Sequence, residues 1–448
     1  MKDLTKGNIT SILLLFAIPI ACSRICQLFY TIADTRIVGS ALGDHALAAI
    51  SASSTFYQLL LTFVTGMASG FAIVAARHFG AGDKAAFRQA AAGTFALGCL
   101  ITLLLTAASI LALPFILKFL RISDSLLPDS TAYIRLVLLG LIFAAFYNLC
   151  AGILYAIGDS VTPLLFLLVS TIINVGLDLL FVYHLDFGVR GAAWGTILSQ
   201  AISSVTCFAY MWIRYPLLRL ERQNFSLERK MILDLLQTGF SCGLMQSMIA
   251  LGSLTLQTAI NSFGSAIIVA HTAARRISEI LMMPFVTLAN ACGTFVSQNL
   301  GAGEIQRIRT GIRYSIYLLW IWCGIALLIS YTLSPTLVQL ITATHQQKVI
   351  QTAALYLRVN TIFYFLLPLI IVIRQSLQSL GDRIMPIISS GIECVGKIII
   401  AFTLAAKIGY WGIILSEPIV WFVMVIPLLI SLRRIPILKT SPTPKEIR

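Results

Sequence analysis

The chain has 448 residues, of which 58% are hydrophobic and only 11% are charged, and its mean hydropathy is +0.90. Water-soluble globular domains carry about 25% charged residues. This composition therefore excludes a water-soluble globular protein and indicates a polytopic membrane protein. The formal net charge of +14 is explained by basic cytoplasmic loops, so we expect no nucleic acid partner.

Apolar runs of about 20 residues, which is enough to cross a bilayer core, recur along the whole chain. They lack the alternating pattern of membrane strands, so we predict an all-α integral membrane fold with twelve transmembrane helices. The predicted spans are residues 10–36, 47–76, 90–117, 131–157, 162–184, 188–213, 231–262, 268–297, 311–336, 348–380, 384–406 and 409–432.

A loop motif occurs twice: HFGAGDK at 78–84 returns as NLGAGEI at 299–305, at an offset of 221 residues. A GD pair at 158–159 also recurs, at 381–382, where the offset is 223. Repeats of six spans predict two parallel six-helix bundles with pseudo-two-fold symmetry about the membrane normal. The predicted domains are an N-terminal bundle at 1–213, a cytoplasmic linker at 214–230 and a C-terminal bundle at 231–448 with a short basic tail.

Lys and Arg concentrate in the loops of one side, above all in the predicted linker. Cytoplasmic loops are enriched in these residues, so we predict a multi-pass protein of the cytoplasmic membrane with both termini in the cytoplasm. The nine cysteines lie in apolar spans at spacings that fit neither a zinc site nor a disulfide framework. We therefore expect no cofactor other than a coupling ion.

Two carboxylates of the first half lie at membrane depth, where acidic residues are costly and usually functional. Asp34 lies late in the first span, and Asn174 and Asp178 share one face of the fifth span because they are four residues apart. Asn148 and Thr196 add polar groups in the fourth and sixth spans. These oxygens suit a small hard cation, but two carboxylates in a poorly hydrated pocket could instead hold a proton. A further alternative places both acids at helix ends in hydrated loops.

The second half lacks these acids at the offset of 221, so we expect the ion or proton site in the first half alone. The residues at that offset from Asp34, Asn174 and Asp178 are Thr255, Val395 and Ile399. The second half has charges of its own at membrane depth. Glu393 and Lys397 are four residues apart and predict a pair within one helix, and Arg276 and Glu279 could pair likewise.

Pro19 lies inside the first span, where a proline removes a helical hydrogen bond and favours a kink. This kink is either static or a hinge that lets the helix bend when Asp34 changes state. Aromatic, methionine and polar side chains could line an adaptable substrate cavity. The candidates are Tyr147, Gln246, Met282 and Glu279.

Several motifs, taken in this order on twelve spans, resemble the MATE (multidrug and toxic compound extrusion) family over nearly the whole chain. They are LTKG at 4–7, FAIP at 16–19, DTRIVG at 34–39, ALAA at 46–49, the paired GAG loops, the GD turn at 158–159 with its following proline, and GVRGA at 188–192. The resemblance implies a V-shaped pair of six-helix bundles. It also implies an antiport in which cationic amphipathic compounds leave as H⁺ or Na⁺ enters.

The resemblance to archaeal and DinF-like members assigns roles to individual residues. It implies a cation or proton site, with Na⁺ as a possible ligand, at Asp34, Asn174, Asp178 and Thr196. It implies a supporting hydrogen-bond network of Tyr30, Tyr133 and Asn148, with Pro19 as the bend of the first helix. The NorM branch has an acidic residue in helix 7, and residues 239–248 contain none, which favours the DinF-like type.

We therefore predict a monomeric secondary multidrug efflux antiporter that binds cationic or amphipathic small molecules and is surrounded by membrane lipids. The alternative within the same superfamily is an exporter or flippase of a lipid-linked or dedicated metabolite. A membrane enzyme is not expected, because the chain has no recognisable catalytic cluster.

Overall fold

The computed structural model describes residues 3–120, 122–342 and 344–435, and these residues are almost entirely helical. The helices are α1 (Ile9–Gly80), α2 (Lys84–Phe119), α3 (Leu127–Ala156), α4 (Val161–Asp178), α5 (Gly188–Arg214), α6 (Arg229–Ile260), α7 (Ser265–Gly301), α8 (Ile305–Thr332), α9 (Ser334–Thr342), α10 (Gln347–Phe363), α11 (Leu367–Ser379), α12 (Ile384–Ile408) and α13 (Tyr410–Arg434). Short 3₁₀ turns lie at Pro216–Leu218, Arg222–Phe225 and Tyr364–Leu366, and a π-helical turn, Leu179–His184, extends α4.

Eleven helical segments of the described residues are long and apolar enough to cross a membrane. The first of them, α1, has 72 residues and would be about 108 Å long if straight, several times the thickness of a bilayer core. It contains a break at Gly43, where φ is 77° and ψ is −178°. A positive φ of this kind favours glycine. Helix α1 therefore supplies two spans, and the predicted all-α fold with twelve spans is confirmed.

The first interhelical connection is shorter than predicted. The sequence predicts a loop over residues 37–46, whereas helix α1 reaches Gly43 from both sides. One residue with a non-helical backbone is enough to change the direction of the chain, because glycine has no Cβ atom to restrict its torsion angles.

The chain forms two compact units. Unit 1 contains Ile18–Gly243, and unit 2 contains Leu4–Ala17 together with the chain from Leu244 onward. The division therefore passes through α1 beside Pro19 and through α6 after Gly243. The segment 214–230 lies within unit 1, where the Arg88 guanidinium donates to backbone carbonyl groups at its start.

The sequence repeat is visible in two equivalent helix caps. The Oδ1 atom of Asp159 accepts hydrogen bonds of 3.1 and 3.0 Å from the first two N–H groups of α4. The Oδ1 atom of Asp382 accepts bonds of 3.1 and 3.1 Å from the first two N–H groups of α12. The preceding residues, Gly158 and Gly381, both have positive φ values, of 79° and 95°. Helices α4 and α12 are therefore equivalent at an offset of 223.

This register corrects the correspondence that the sequence suggests for α12. Val395 and Ile399, at the offset of 221, are each 54% exposed, whereas Asn174 and Asp178 are fully buried. A shift of two residues turns a helical position by about 200°, from the buried face to the exposed face. The mapping at 221 is therefore wrong for this helix. The buried counterparts of Asn174 and Asp178 at the offset of 223 are Lys397 and Ala401.

Candidate ion-binding site

The two acids predicted in the first half lie together in unit 1. Asp178 is the last residue of α4, Asn174 lies one turn before it, and Asp34 projects from α1 close enough to interact with Asp178 directly. Both oxygens of Asp178, one oxygen of Asp34 and both side-chain polar atoms of Asn174 are buried without a hydrogen-bond partner. Buried polar atoms are normally paired, so this cluster offers several free oxygen ligands at one place.

Hydroxyl groups surround the two carboxylates. The Tyr30 Oη and Thr196 Oγ1 atoms are 3.4 Å apart and join α1 to α5. Tyr30 and Tyr133 both lie within electrostatic range of Asp34 and Asp178. The structure therefore brings these predicted residues together around the acids, and we call the set Tyr30, Asp34, Tyr133, Asn174, Asp178 and Thr196 the acidic site.

The rim of the acidic site contains Ser54 and Tyr57, which the sequence pattern did not single out. Ser54 is within hydrogen-bonding reach of Tyr133, and Gln200 is within reach of Tyr57. Ser54 and Tyr57 are three residues apart and hence lie on one face of α1. That spacing of polar residues within an apolar span is the signal that could have identified them.

Gly195 is a further missed residue, and it determines how closely α5 approaches Asp178. A Cβ atom at this position would overlap the Oδ1 atom of Asp178 and would lie 3.1 Å from its Cγ and 3.3 Å from its backbone nitrogen. Only glycine leaves the carboxylate in its observed place. Because the reason is a contact between two helices, the sequence of α5 alone does not reveal it.

The acidic site has no basic partner. In the described part of the chain, no Lys, Arg or His forms an ion pair with Asp34 or Asp178. The ion pairs of unit 1 lie elsewhere: Arg77 is 3.4 Å from Asp234, and the exposed side chains of His45 and Asp129 are 3.7 Å apart. Two carboxylates at membrane depth without a counter-ion require a proton or a bound cation to offset their charge.

Asn148 and Tyr147 lie away from the acidic site. Asn148 is 15 residues after Tyr133 on α3, a distance of about 22 Å along the helix axis, and its amide donates to the carbonyl of Ala144. Tyr147 donates a 2.6 Å hydrogen bond to the carbonyl of Pro163 in unit 1. The structure thus does not bring Asn148 into the cluster around the acids.

Helix α1 continues through Pro19 without a break, and the Ser23 hydroxyl donates to the Pro19 carbonyl at 2.9 Å. The other three cavity candidates belong to unit 2. Gln246 on α6 and Met282 on α7 are partly buried, whereas Glu279 is exposed and pairs with Arg276 at 3.5 Å. The predicted pair between Arg276 and Glu279 is therefore confirmed.

Unit 2 contains a buried network of charges that joins four helices. The predicted pair between Glu393 and Lys397 is confirmed at 3.0 Å, and it is part of a larger set. The other contacts are Arg374 with Glu393 at 3.3 Å, Lys397 with Glu417 at 3.7 Å, and Arg275 with Glu417 at 2.8 Å. Tyr356 also donates to Glu417 at 3.1 Å. We call the residues Arg275, Arg374, Glu393, Lys397 and Glu417 the unit 2 network.

Comparisons with known proteins agree on one family. The family model described as MatE matches residues 19–180 and 242–403. The chain is similar to the probable multidrug resistance protein YpnP of Bacillus subtilis, with 27% identity over 68% of each chain. It is also similar to the probable multidrug resistance protein YoeA of the same organism, with 23% identity over 91% of this chain and 90% of the relative. A solved outward-facing structure of a multidrug resistance MATE family transporter has the same fold, with a TM-score of 0.89, 23% identity and 98% of both chains covered.

Proposed function

This chain belongs to the MatE family, and we propose that it is a secondary multidrug efflux antiporter rather than an enzyme. It exports cationic or amphipathic small molecules in exchange for H⁺ or Na⁺. Its relatives YpnP and YoeA are named probable multidrug resistance proteins, which supports the export function. The observation that supports ion coupling is the acidic site, whose two carboxylates have no basic partner in the described residues.

The acidic site can couple transport because one negatively charged cluster attracts two different cations. When Asp34 and Asp178 are ionised, the site favours a cationic substrate. When the site takes up H⁺ or Na⁺, that attraction is lost and the substrate is released. Asp34 lies on α1, so a change in its charge acts on the helix that contains Pro19, and that proline serves as the hinge.

Both coupling ions fit the residues present. Na⁺ would be held by oxygens of Asp34, Asp178 and Asn174 and by the Thr196 hydroxyl, and oxygen atoms are the ligands that hard cations prefer. A proton would instead be shared between the two neighbouring carboxylates, which relieves their mutual repulsion. Each alternative uses the same residues, so the coupling ion has to be identified by transport.

The test is ethidium transport by proteoliposomes, with proton and sodium gradients imposed separately. We expect one gradient to drive accumulation of ethidium in the wild type. Asp34→Asn and Asp178→Asn should abolish that gradient-driven transport, whereas the matched variant Asp129→Asn, which changes an exposed acid of unit 1, should leave it intact. Normal gradient-driven efflux by the well-folded Asp34→Asn and Asp178→Asn proteins would refute the role of the acidic site.

We also propose the finer assignments that follow from the family resemblance. The protein is of the DinF-like rather than the NorM type, it acts as a monomer in the cytoplasmic membrane, and both of its termini are cytoplasmic. The absence of an acidic residue over 239–248 supports the branch assignment. The basic loops support the orientation.

A further inference from the structure

Two residues of the unit 2 network, Lys397 and Glu417, lie at positions equivalent to Asn174 and Thr196 of the acidic site. The register of α3 against α10 and α11 is 223, because α3 ends at Ala156 and α11 ends at Ser379. The register of α5 against α13 is 221, which places Gly191 opposite Gly412, and both are buried. With these registers, the counterparts of Tyr133, Asn174 and Thr196 are Tyr356, Lys397 and Glu417.

A second contact is preserved between the two positions. At the offset of 221 set by the paired loops, Ser54 corresponds to Arg275. Ser54 is within hydrogen-bonding reach of Tyr133, and Arg275 is within reach of Tyr356. Equivalent pairs of residues therefore touch in both units. The unit 2 network therefore lies around a tyrosine that is equivalent to Tyr133 of the acidic site.

The sign of the excess charge differs between the two positions. The unit 2 network contains three basic side chains and two carboxylates. Arginine does not lose its proton in proteins, and Lys397 lies within 3.0 and 3.7 Å of two carboxylates. Each carboxylate lies beside two basic side chains. Every charge in the network therefore has an opposite partner, and the count leaves an excess of one positive charge.

The excess charge is accessible at one end of the network. The side chains of Arg374 and Lys397 are only 7% and 4% exposed, whereas that of Arg275 is 25% exposed. Arginine has five N–H donors. One terminal nitrogen of Arg275 donates to Glu417, and the guanidinium is also within hydrogen-bonding reach of Tyr356 and within electrostatic range of Glu279, which leaves some of the five donors for a ligand. An arginine at membrane depth faces the helix bundle or a water-filled cavity rather than lipid. The Nε atom of buried Arg374 has no hydrogen-bond partner, which shows that the network is short of acceptors.

We propose that the unit 2 network binds a singly charged oxyanion group, such as a carboxylate, of an amphipathic export substrate, with Arg275 as the direct contact. This inference rests on the proposed export function and narrows its substrate class to molecules that carry an anionic group, alone or beside a cationic one. His271 is buried against Tyr356 and shares a 3.1 Å hydrogen bond with Tyr410, whose partly exposed ring can contact the apolar part of the ligand.

The experiment measures binding of dansylglycine, a fluorescent carboxylate, and of its uncharged primary amide to the purified full-length protein in neutral detergent. We expect the carboxylate to bind at least about tenfold more tightly than the amide, because hydrogen bonds to a charged group are the stronger kind. Acetate should compete with dansylglycine and acetamide should not. Equal affinities for the carboxylate and the amide would overturn the proposal.

Four variants separate direct contact from net charge. Arg275→Gln should remove the preference for the carboxylate, while the neighbouring exposed variant Arg276→Gln should retain it. Lys397→Gln removes the excess charge at a site that the ligand cannot reach, and it should lower the preference as well. The double variant Lys397→Gln with Glu393→Gln restores an excess of one positive charge and should recover the preference. A preference that survives in Arg275→Gln, or that the double variant fails to recover while it remains folded, contradicts the proposal.

Failure of this inference can be told apart from failure of the proposed function. Binding is measured without transport, so a carboxylate preference that depends on Arg275 stands even where proteoliposomes show no efflux. Conversely, ethidium efflux that depends on Asp34, together with equal binding of dansylglycine and its amide, retains the antiporter and removes the anion site.

Discussion

Gly195→Ala is the most direct test of the acidic site, because it moves Asp178 without changing any polar or charged residue. The new methyl group would overlap the Oδ1 atom of Asp178. We expect the short Asp178 side chain to rotate away, since its oxygen is the nearest obstacle and the helix backbones are held by their packing. The carboxylate would then leave the position in which it faces Asp34 and Asn174.

The size of the effect follows from the contact distances. Non-bonded carbon atoms are in optimal contact at about 3.5–4.0 Å, so the Asp178 carboxylate must move by about 1 Å or more. Binding constellations must be held to within about 0.5 Å of their productive geometry. Alanine in place of glycine inside a helix also favours folding by up to about 1 kcal/mol. We therefore expect a well-folded protein whose gradient-driven efflux is at least about tenfold lower.

The assay compares gradient-driven ethidium efflux with thermal unfolding in detergent. Gly176→Ala is the matched control: it makes the same change two residues before Asp178, at a place where a new Cβ atom meets nothing within 4 Å. Gly176→Ala should transport normally. Wild-type coupling in Gly195→Ala, or an equal loss in the control, would refute the steric reasoning.

Three further outcomes concern stability. Glu393→Gln should cost about 3–5 kcal/mol in thermal unfolding, because it leaves the buried side chain of Arg374 without a carboxylate partner. Glu279→Gln in an exposed pair should cost only about 0–1 kcal/mol, and similar losses would contradict the burial of the network. Asp159→Ala and Asp382→Ala each remove one helix cap and one further hydrogen bond, from Tyr215 and Ser431 respectively, and should each cost about 2 kcal/mol, so clearly unequal losses would argue against equivalent positions. Burial and the hydrogen bond to Asp159 raise the pKa of Tyr215 above its usual value of about 10. The stabilisation that the neutral Tyr215 side chain gives the folded protein is complete below about pH 10 and is lost above it, because the tyrosine of the unfolded chain then ionises. The melting temperature of Tyr215→Phe should therefore fall less steeply above about pH 10 than that of the wild type.

Hydrophobic run length and the repeated motifs predict the twelve spans well, because both report on local requirements of the chain. A span must be about 20 residues long to cross the bilayer, and a tight turn needs glycine wherever φ is positive. The repeat gave the right partners for the paired loops, and it failed in α12, where the register differs by two residues. When one repeat has two additional residues in its middle, the positions after them correspond at a different offset, so one offset cannot describe the whole repeat. The 3₁₀ turn at Tyr364–Leu366 between α10 and α11 shows that the helices of the second repeat are not copies of those in the first.

The site was predictable where the residue type itself was unusual. Carboxylates at membrane depth are conspicuous, so Asp34 and Asp178 could be identified from the sequence. Gly195 and Ser54 could not, because small residues are common in membrane helices and gain their roles here from contacts with other helices. For Asn148 the sequence prediction was misleading. This polar residue of an apolar span donates its amide hydrogen bond to the Ala144 carbonyl of its own helix and is not part of the acidic site.

The two buried clusters pose the same electrostatic problem with opposite signs. Each places an uncompensated charge at membrane depth, where charge is costly and is retained when it serves function. A structural ion-pair network would gain from a balanced number of acids and bases, since every unpaired buried charge weakens it. The imbalance in the unit 2 network, two residues of which lie at positions equivalent to the acidic site, is therefore better explained by a ligand than by stability. By this argument the duplication supplied two equivalent sites, and divergence at Asn174 and Thr196, opposite Lys397 and Glu417, gave them ligands of opposite charge.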